Sequence, residues 1–192
     1  MALYAPIVTA LGFLAIAAVA LALGLGGTLV SSAGRDWWVR TLGGLERHPI
    51  GWAWAVATVA AVGSLYLSEI AHLVPCSLCW YQRIAMYPLV FVLGVGVLRG
   101  DASVWRYVLP IAGVGLAIAI YHVTIQWQPS LDVGACTSGA PCTGRYLAVF
   151  GFISIPTMAG AAFLLIISLM LGLRTLERAA EIVSPPDQGG AS

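Results

Sequence analysis

Five long apolar runs decide what this chain can become. Met1 to Gly34 carries no charged side chain, and four further runs follow with few polar interruptions. Lipid offers no partner for an unpaired backbone N–H or C=O, so a chain crosses it as helices of about 20 predominantly apolar residues. Of the 192 residues, 60% are hydrophobic and 9% charged, against roughly 25% charged in a soluble domain. The chain therefore reads as an all-α integral membrane protein. Its net charge of +1 gives no footprint of nucleic-acid binding, and the partner it certainly has is membrane lipid.

The first span covers roughly Pro6–Val30 and the second Ile50–Val74, the latter with Glu69 and His72 inside it. Ile84–Leu98 alone reaches only about 22 Å across a ~30 Å core. The third helix is therefore expected to begin near Pro75, which draws Cys79 and Arg83 towards the outer leaflet. The fourth covers roughly Tyr107–Trp127 and the fifth roughly Tyr146–Leu173. Arg35, Arg40, Arg47, Arg99, Arg106, Arg174 and Arg178 then share one side, with Arg83 and Arg145 on the other. Basic residues gather in cytoplasmic loops, so the C-terminus is expected in the cytoplasm and the N-terminus outside. The first run lacks the positive n-region of a signal peptide and is expected to be an N-out anchor. Residues 179–192, ending in the Pro- and Gly-rich Ser184–Ser192, are expected to form a disordered cytoplasmic tail.

Against this background stand four cysteines in two pairs, Cys76-Ser77-Leu78-Cys79 and Cys136 with Cys142. Both pairs fall at span boundaries on the outer, oxidising face, where disulfides persist. Cys-x-x-Cys at a helix start puts two sulfurs within bridging reach, over an N-terminus whose partial positive charge favours a thiolate. Arg83 follows Cys79 by one turn. An arginine at that depth either finds a partner, such as a thiolate or a lipid-soluble acceptor, or snorkels to the surface. His122 lies at a similar depth, as a functional group or a packed histidine, with Gln126 one turn above. Glu69 and His72, three residues apart, are expected on one helix face, as a functional or a structural pair. The loop Thr137-Ser138-Gly139-Ala140-Pro141 allows Cys136 and Cys142 to bridge, as a redox couple or a static staple. Zinc on these thiols and His72 suits neither the gaps nor an oxidising face, so no metal site is expected.

Pro75-Cys76-Ser77-Leu78-Cys79-Trp80-Tyr81-Gln82-Arg83, followed by Met86-Tyr87-Pro88, closely resembles the signature of disulfide bond formation protein B (DsbB), especially its BdbC-like branch. Ser68-Glu69, Tyr121-His122 with Gln126, and Cys136 through Pro141-Cys142-Thr143-Gly144 to Gly151-Phe152-Ile153-Ser154-Ile155-Pro156 agree in the same order. The resemblance implies a four-helix transmembrane bundle over residues 48–178, with residues 1–34 as an extra N-terminal transmembrane helix. It implies a multi-pass protein of the cytoplasmic membrane that reoxidises an extracytoplasmic thioredoxin-like thiol oxidase of the DsbA/BdbD type and passes the electrons to quinone, ubiquinone or menaquinone. On the same basis Cys136 would join the partner, Cys142 would exchange with Cys76, and Cys79 would face the quinone ring, with Arg83 and His122 beside it. Every residue of this chemistry lies after Ile50, so the first span is expected to be dispensable. Ser154 stands where many proteobacterial members carry an acidic residue.

Two other readings compete. A vitamin K epoxide reductase-like enzyme has similar helices and chemistry, but there the loop pair precedes the Cys-x-x-Cys; here it follows. A non-enzymatic membrane protein with structural disulfides or a metal site would show no quinone-linked thiol oxidation.

Overall fold

A computed structural model describes residues 4–42, 47–134, 136 and 140–183. Five helices in it are long and apolar enough to cross a membrane. They belong to six α-helices: α1 (Tyr4–Val30), α2 (Ser32–Leu42), α3 (Arg47–Leu65), α4 (Ser77–Arg99), α5 (Trp105–Trp127) and α6 (Ile155–Val183). Helices α3, α4, α5 and α6 close a ring, each packed on the next and α6 returning to α3. The additional helix α1 lies outside that ring against α6, its most extensive contact. The chain is thus an all-α membrane bundle of four helices with one more at its N-terminal side.

Association inside lipid rests on close packing rather than on expulsion of water. Small residues accordingly line the contacts: Ala53 and Ala57 of α3, Ala112 and Ala119 of α5, and Ala161 and Ala162 of α6 are all buried. Gly115 of α5 faces the Phe163 ring, which occupies the place a β-carbon would need. Leu89, Leu93, Val108, Ile166 and Met170 complete this core. Between α1 and α6, Ser168 Oγ donates to the Ala22 carbonyl at 3.1 Å.

The segment after the first span is itself a helix. Ser31 Oγ accepts from Gly34 N at 3.0 Å and starts α2. Arg35 donates back to the Leu29 carbonyl at 3.1 Å, meeting an end that α1 would otherwise leave unpaired. Trp38 of α2 is buried over Gly172, and its indole N–H donates to Thr28 Oγ1 at 2.8 Å. The corner is therefore anchored at both α1 and α6.

Three span boundaries differ from the sequence expectation. The second span closes through a π-helical turn, Tyr66–Ile70, and His72 follows with φ of 54°. Glu69 and His72 consequently do not share a helix face; Glu69 accepts from Ser68 Oγ at 3.0 Å instead. Helix α4 starts at Ser77 rather than near Pro75, because Cys76 stays extended as its N-cap and accepts from Cys79 N at 3.4 Å. The last helix starts at Ile155, nine residues later than expected. Phe150 and Gly151 take positive φ and reverse the chain, giving an isolated bridge between Val149 and Ile153. At its other end α6 continues to Val183, so residues 179–183 are helical, and 184–192 of the expected tail lie outside the described residues. Glu177 holds this end in place by pairing with Arg106 at 3.4 Å and accepting from the Trp105 indole.

Replacing Gly115 with leucine should overpack the α5–α6 contact and cost about 1–3 kcal/mol. Unfolding in mixed detergent micelles should show a lower midpoint; an unchanged midpoint would mean that Phe163 moves aside freely.

Candidate functional site

The N-terminal end of α4 and the C-terminal end of α5 bring the expected residues together. Cys76 caps α4 and Cys79 sits in its first turn, the two sulfurs unbonded and 3.0 Å apart. Cys136 and Cys142 form a disulfide with Cα atoms 5.9 Å apart. Both couples belong to one buried cluster with Leu78 and Ile125. Of the intervening loop, residues 137–139 lie outside the described residues.

His122 joins the two couples. Its Nε2 lies 3.7 Å from Cys76 Sγ and 3.2 Å from the Cys142 carbonyl. Its Nδ1 lies 3.3 Å from Gln82 Nε2 on α4. With the Gln82 amide donating, Nδ1 accepts and Nε2 carries the hydrogen towards the sulfur and the carbonyl; this tautomer follows from the assigned amide orientation. Gln126, one turn further along α5, donates to the Gly144 carbonyl at 3.3 Å. The disulfide loop is therefore stitched to α5 at two carbonyls. Cys76 precedes the first residue of the spanning helix. The side-chain hydrogen bond with Cys79, with a smaller contribution from His122, outweighs burial and holds the Cys76 thiol well below its ordinary range.

Arg83 does not snorkel. Its Nε donates to Ser64 Oγ at 2.9 Å and its Nη2 to the Ser64 carbonyl at 3.0 Å, across the α3–α4 contact. Trp80 lies against the guanidinium, 5.2 Å from ring centroid to Cζ. Arg145, the other arginine at this end of the bundle, stacks on Trp127 at 4.2 Å and donates to the Gly151 carbonyl, so it braces the loop. His72 is exposed, and it lines the same cavity as the cysteines.

That cavity measures about 1020 Å³. Cys76, Cys79, Gln82, Arg83 and His122 line one part of it, and apolar side chains dominate the rest. Tyr87 Oη and Gln126 Oε1 belong to lining residues, are buried, and have no partner among the described residues. Such orphaned polar atoms call for a ligand, water or ion. Cys76, Cys79 and His122 also place their donor atoms within 4.8 Å of one another, three donors where a structural zinc site takes four.

Gln82 and Ser64 were not legible as site members. Gln82 offers one signal, lying three residues after Cys79 on the same helix face. Ser64 carries none beyond being a polar residue in an apolar span.

The comparisons with known proteins fit this arrangement. Residues 46–173 match the family described as Disulfide bond formation protein DsbB. The chain belongs to the DsbB family. Among relatives, Disulfide bond formation protein C of Bacillus subtilis is 50% identical over 123 residues, 64% of this chain and 89% of the relative. Probable disulfide formation protein C 2 of Bacillus anthracis is 48% identical over 126 residues, 66% of this chain and 90% of the relative. A probable disulfide formation protein of Oceanobacillus iheyensis is 47% identical over 120 residues, 62% and 83% of the two chains. No solved structure matches. As a DsbB-family chain this is a multi-pass membrane protein of disulfide formation, with the thiol oxidoreductase chemistry that the family implies.

Cys79 lines the apolar cavity. In a variant with Cys76, Cys136 and Cys142 changed to serine, Cys79 should react with an apolar maleimide more than about tenfold faster than with a charged one, because the charged reagent must shed water to enter. Mass spectrometry of labelled membranes measures this. Equal rates would place Cys79 in open water.

Proposed function

We propose that the chain is a quinone-dependent thiol oxidase of the cytoplasmic membrane. It reoxidises an extracytoplasmic thioredoxin-like disulfide-forming protein and passes the electrons to ubiquinone or menaquinone. The observation that carries this reading is the meeting of two cysteine couples, through His122, at an apolar cavity. The arginine distribution supports an outward-facing site and a cytoplasmic C-terminus.

The residues present suit a quinone. Its ring is flat and apolar with two carbonyl acceptors, and the cavity offers the Arg83 guanidinium, one turn after Cys79, as a donor. When bound, the quinone supplies the sink for two electrons and two protons.

The thiol steps balance within the chain. A thiolate of the reduced partner attacks Cys136, the Cys136–Cys142 bond breaks, and Cys142 leaves as a thiolate. The partner's second thiolate then closes the partner's disulfide and frees Cys136. Cys142 attacks Cys76 of the oxidised Cys76–Cys79 couple, and Cys79 leaves as a thiolate facing the cavity. Cys136 next attacks Cys142, which restores the loop disulfide and releases Cys76 as a thiolate. The hydrogen on His122 Nε2 is placed to stabilise that leaving sulfur, and Arg83, fixed by Ser64, provides positive charge near Cys79.

The three donors Cys76, Cys79 and His122 also suggest an incomplete metal site. A disulfide couple packed against them favours redox exchange, since a metal site has no use for it.

Arg83→Met should raise the apparent KM for quinone by about tenfold, the loss of one charge-assisted hydrogen bond, and leave the KM for the protein substrate nearly unchanged. Steady-state quinone reduction at varied quinone and varied partner tests this; a change confined to the protein KM would move Arg83 to a docking role. Cys142→Ser should accumulate a mixed disulfide between Cys136 and the oxidised partner, whose disulfide the free Cys136 thiolate opens, because the Cys142 thiolate that would displace the partner is missing. Non-reducing gels and peptide mapping read the adduct, and one mapped to Cys76 or Cys79 would reverse the proposed order.

A further inference from the structure

Helices α1 and α3 both pack on α6 but scarcely meet each other. Leu11 approaches Gly63, where a β-carbon would lie 3.2 Å from Leu11 Cδ2. Along the rest of their length the two helices are held apart by the cavity, lined by Leu14, Ala17 and Leu21 of α1 and by Val56, Val59 and Ala60 of α3. The residues that line it from Leu11 to Leu25 span roughly 21 Å of α1. Trp37 and Trp38 of α2 line the end away from the cysteines.

The polarity of this cleft is graded. Cys79, Gln82, Arg83, His122 and Gln126 gather at the outer end, and the α1 and α3 walls beneath them are apolar until His48, which lines the cavity from the start of α3. A ligand that fits has one polar end and a long apolar extension running inward. The volume points the same way. About 1020 Å³ reaches the top of the roughly 300–1,000 Å³ range that holds a whole drug-sized molecule, so a ring alone would fill only part of it. Helices α1 and α2 lie outside the region matched to the family, residues 46–173.

We propose that α1 and α2 form the outer wall and inner end of a channel for the isoprenoid tail of the quinone, whose ring lies against Cys79 and Arg83. This rests on the quinone reading above. On it the first span is part of the acceptor site, and not the dispensable anchor that the sequence suggested.

The test uses the full chain in lipid nanodiscs, with dithiothreitol as electron donor. Two acceptors are compared, a long-tailed quinone and the same ring without its tail. Ala17→Trp puts bulk into the cleft from an exposed position. Leu23→Trp puts the same bulk on a part of α1 that does not line it, at a residue 65% exposed. Ala17→Trp should raise the KM for the long-tailed quinone about tenfold with little change in kcat, the mark of lost uniform binding. It should leave the tail-less ring unaffected, and Leu23→Trp should alter neither. Equal effects on both acceptors, or none on the long-tailed one, would overturn the channel. In the unsubstituted chain, a photoreactive group at the tail end should label α1 or α2. Labelling confined to α3–α6, or a phospholipid retained in the cleft with the tail excluded, would overturn it whatever the variants do. If the wild-type chain reduces neither acceptor, the quinone reading itself fails, which is a separable result.

Discussion

Lipid cannot hydrogen-bond, and the arrangement of this bundle follows from that. At the cysteine-bearing end of the bundle, polar side chains find partners on a neighbouring helix or loop, Tyr87 Oη and Gln126 Oε1 excepted among the described residues. Arg83 finds Ser64, His122 finds Gln82 and the Cys142 carbonyl, and Gln126 finds Gly144. These contacts cross helix boundaries. They fix α3 to α4, α4 to α5, and α5 to the loop that carries the second disulfide. The groups that could do chemistry are thus the groups that hold the cysteine-bearing half of the bundle in register. The opposite end is held differently: the Trp105 ring lies against Arg106 and Arg174, and Glu177 accepts from the Trp105 indole and pairs with Arg106.

This economy explains why the loop disulfide can sit close to the Cys-x-x-Cys couple without belonging to the same helix. Cys142 is buried, and its own carbonyl rather than its sulfur is the anchoring point. A covalent change at the sulfur therefore leaves the attachment to His122 in place. On the proposed route, exchange can proceed while the loop stays docked, which limits the motion that each cycle requires.

The spans were legible because twenty apolar residues have few alternatives to a membrane helix. Helix count, the extra N-terminal span and the clustering of both cysteine pairs with Arg83 and His122 all followed from runs, spacing and resemblance. Boundaries were harder, since short-range backbone choices set them. Cys76 stays extended as a cap, the π-turn shifts Glu69 off the expected face, and Phe150 with Gly151 delays the last helix. Helix α2 was hidden because its stability comes from Trp38 meeting Gly172 more than 130 positions away. Gln82 and Ser64 were missed for a related reason: each matters through a partner on another helix, and sequence distance carries no trace of that pairing.

The contact between α1 and α6 has a consequence for how the protein is made. Helix α1 ends at Val30 and its main partner begins at Ile155. At the usual pace of synthesis, about 5–20 residues per second, the partner follows roughly 6–25 s later. Until then α1 lacks the helix on which it packs most extensively. Its freedom from charged side chains over Met1–Gly34 suits that interval. The Ser168 hydroxyl that reaches Ala22 sits on the late-arriving helix, where the surrounding bundle can protect it. On the proposed reading, α1 can close the cleft beside α3 only once α6 has been made, after all four cysteines.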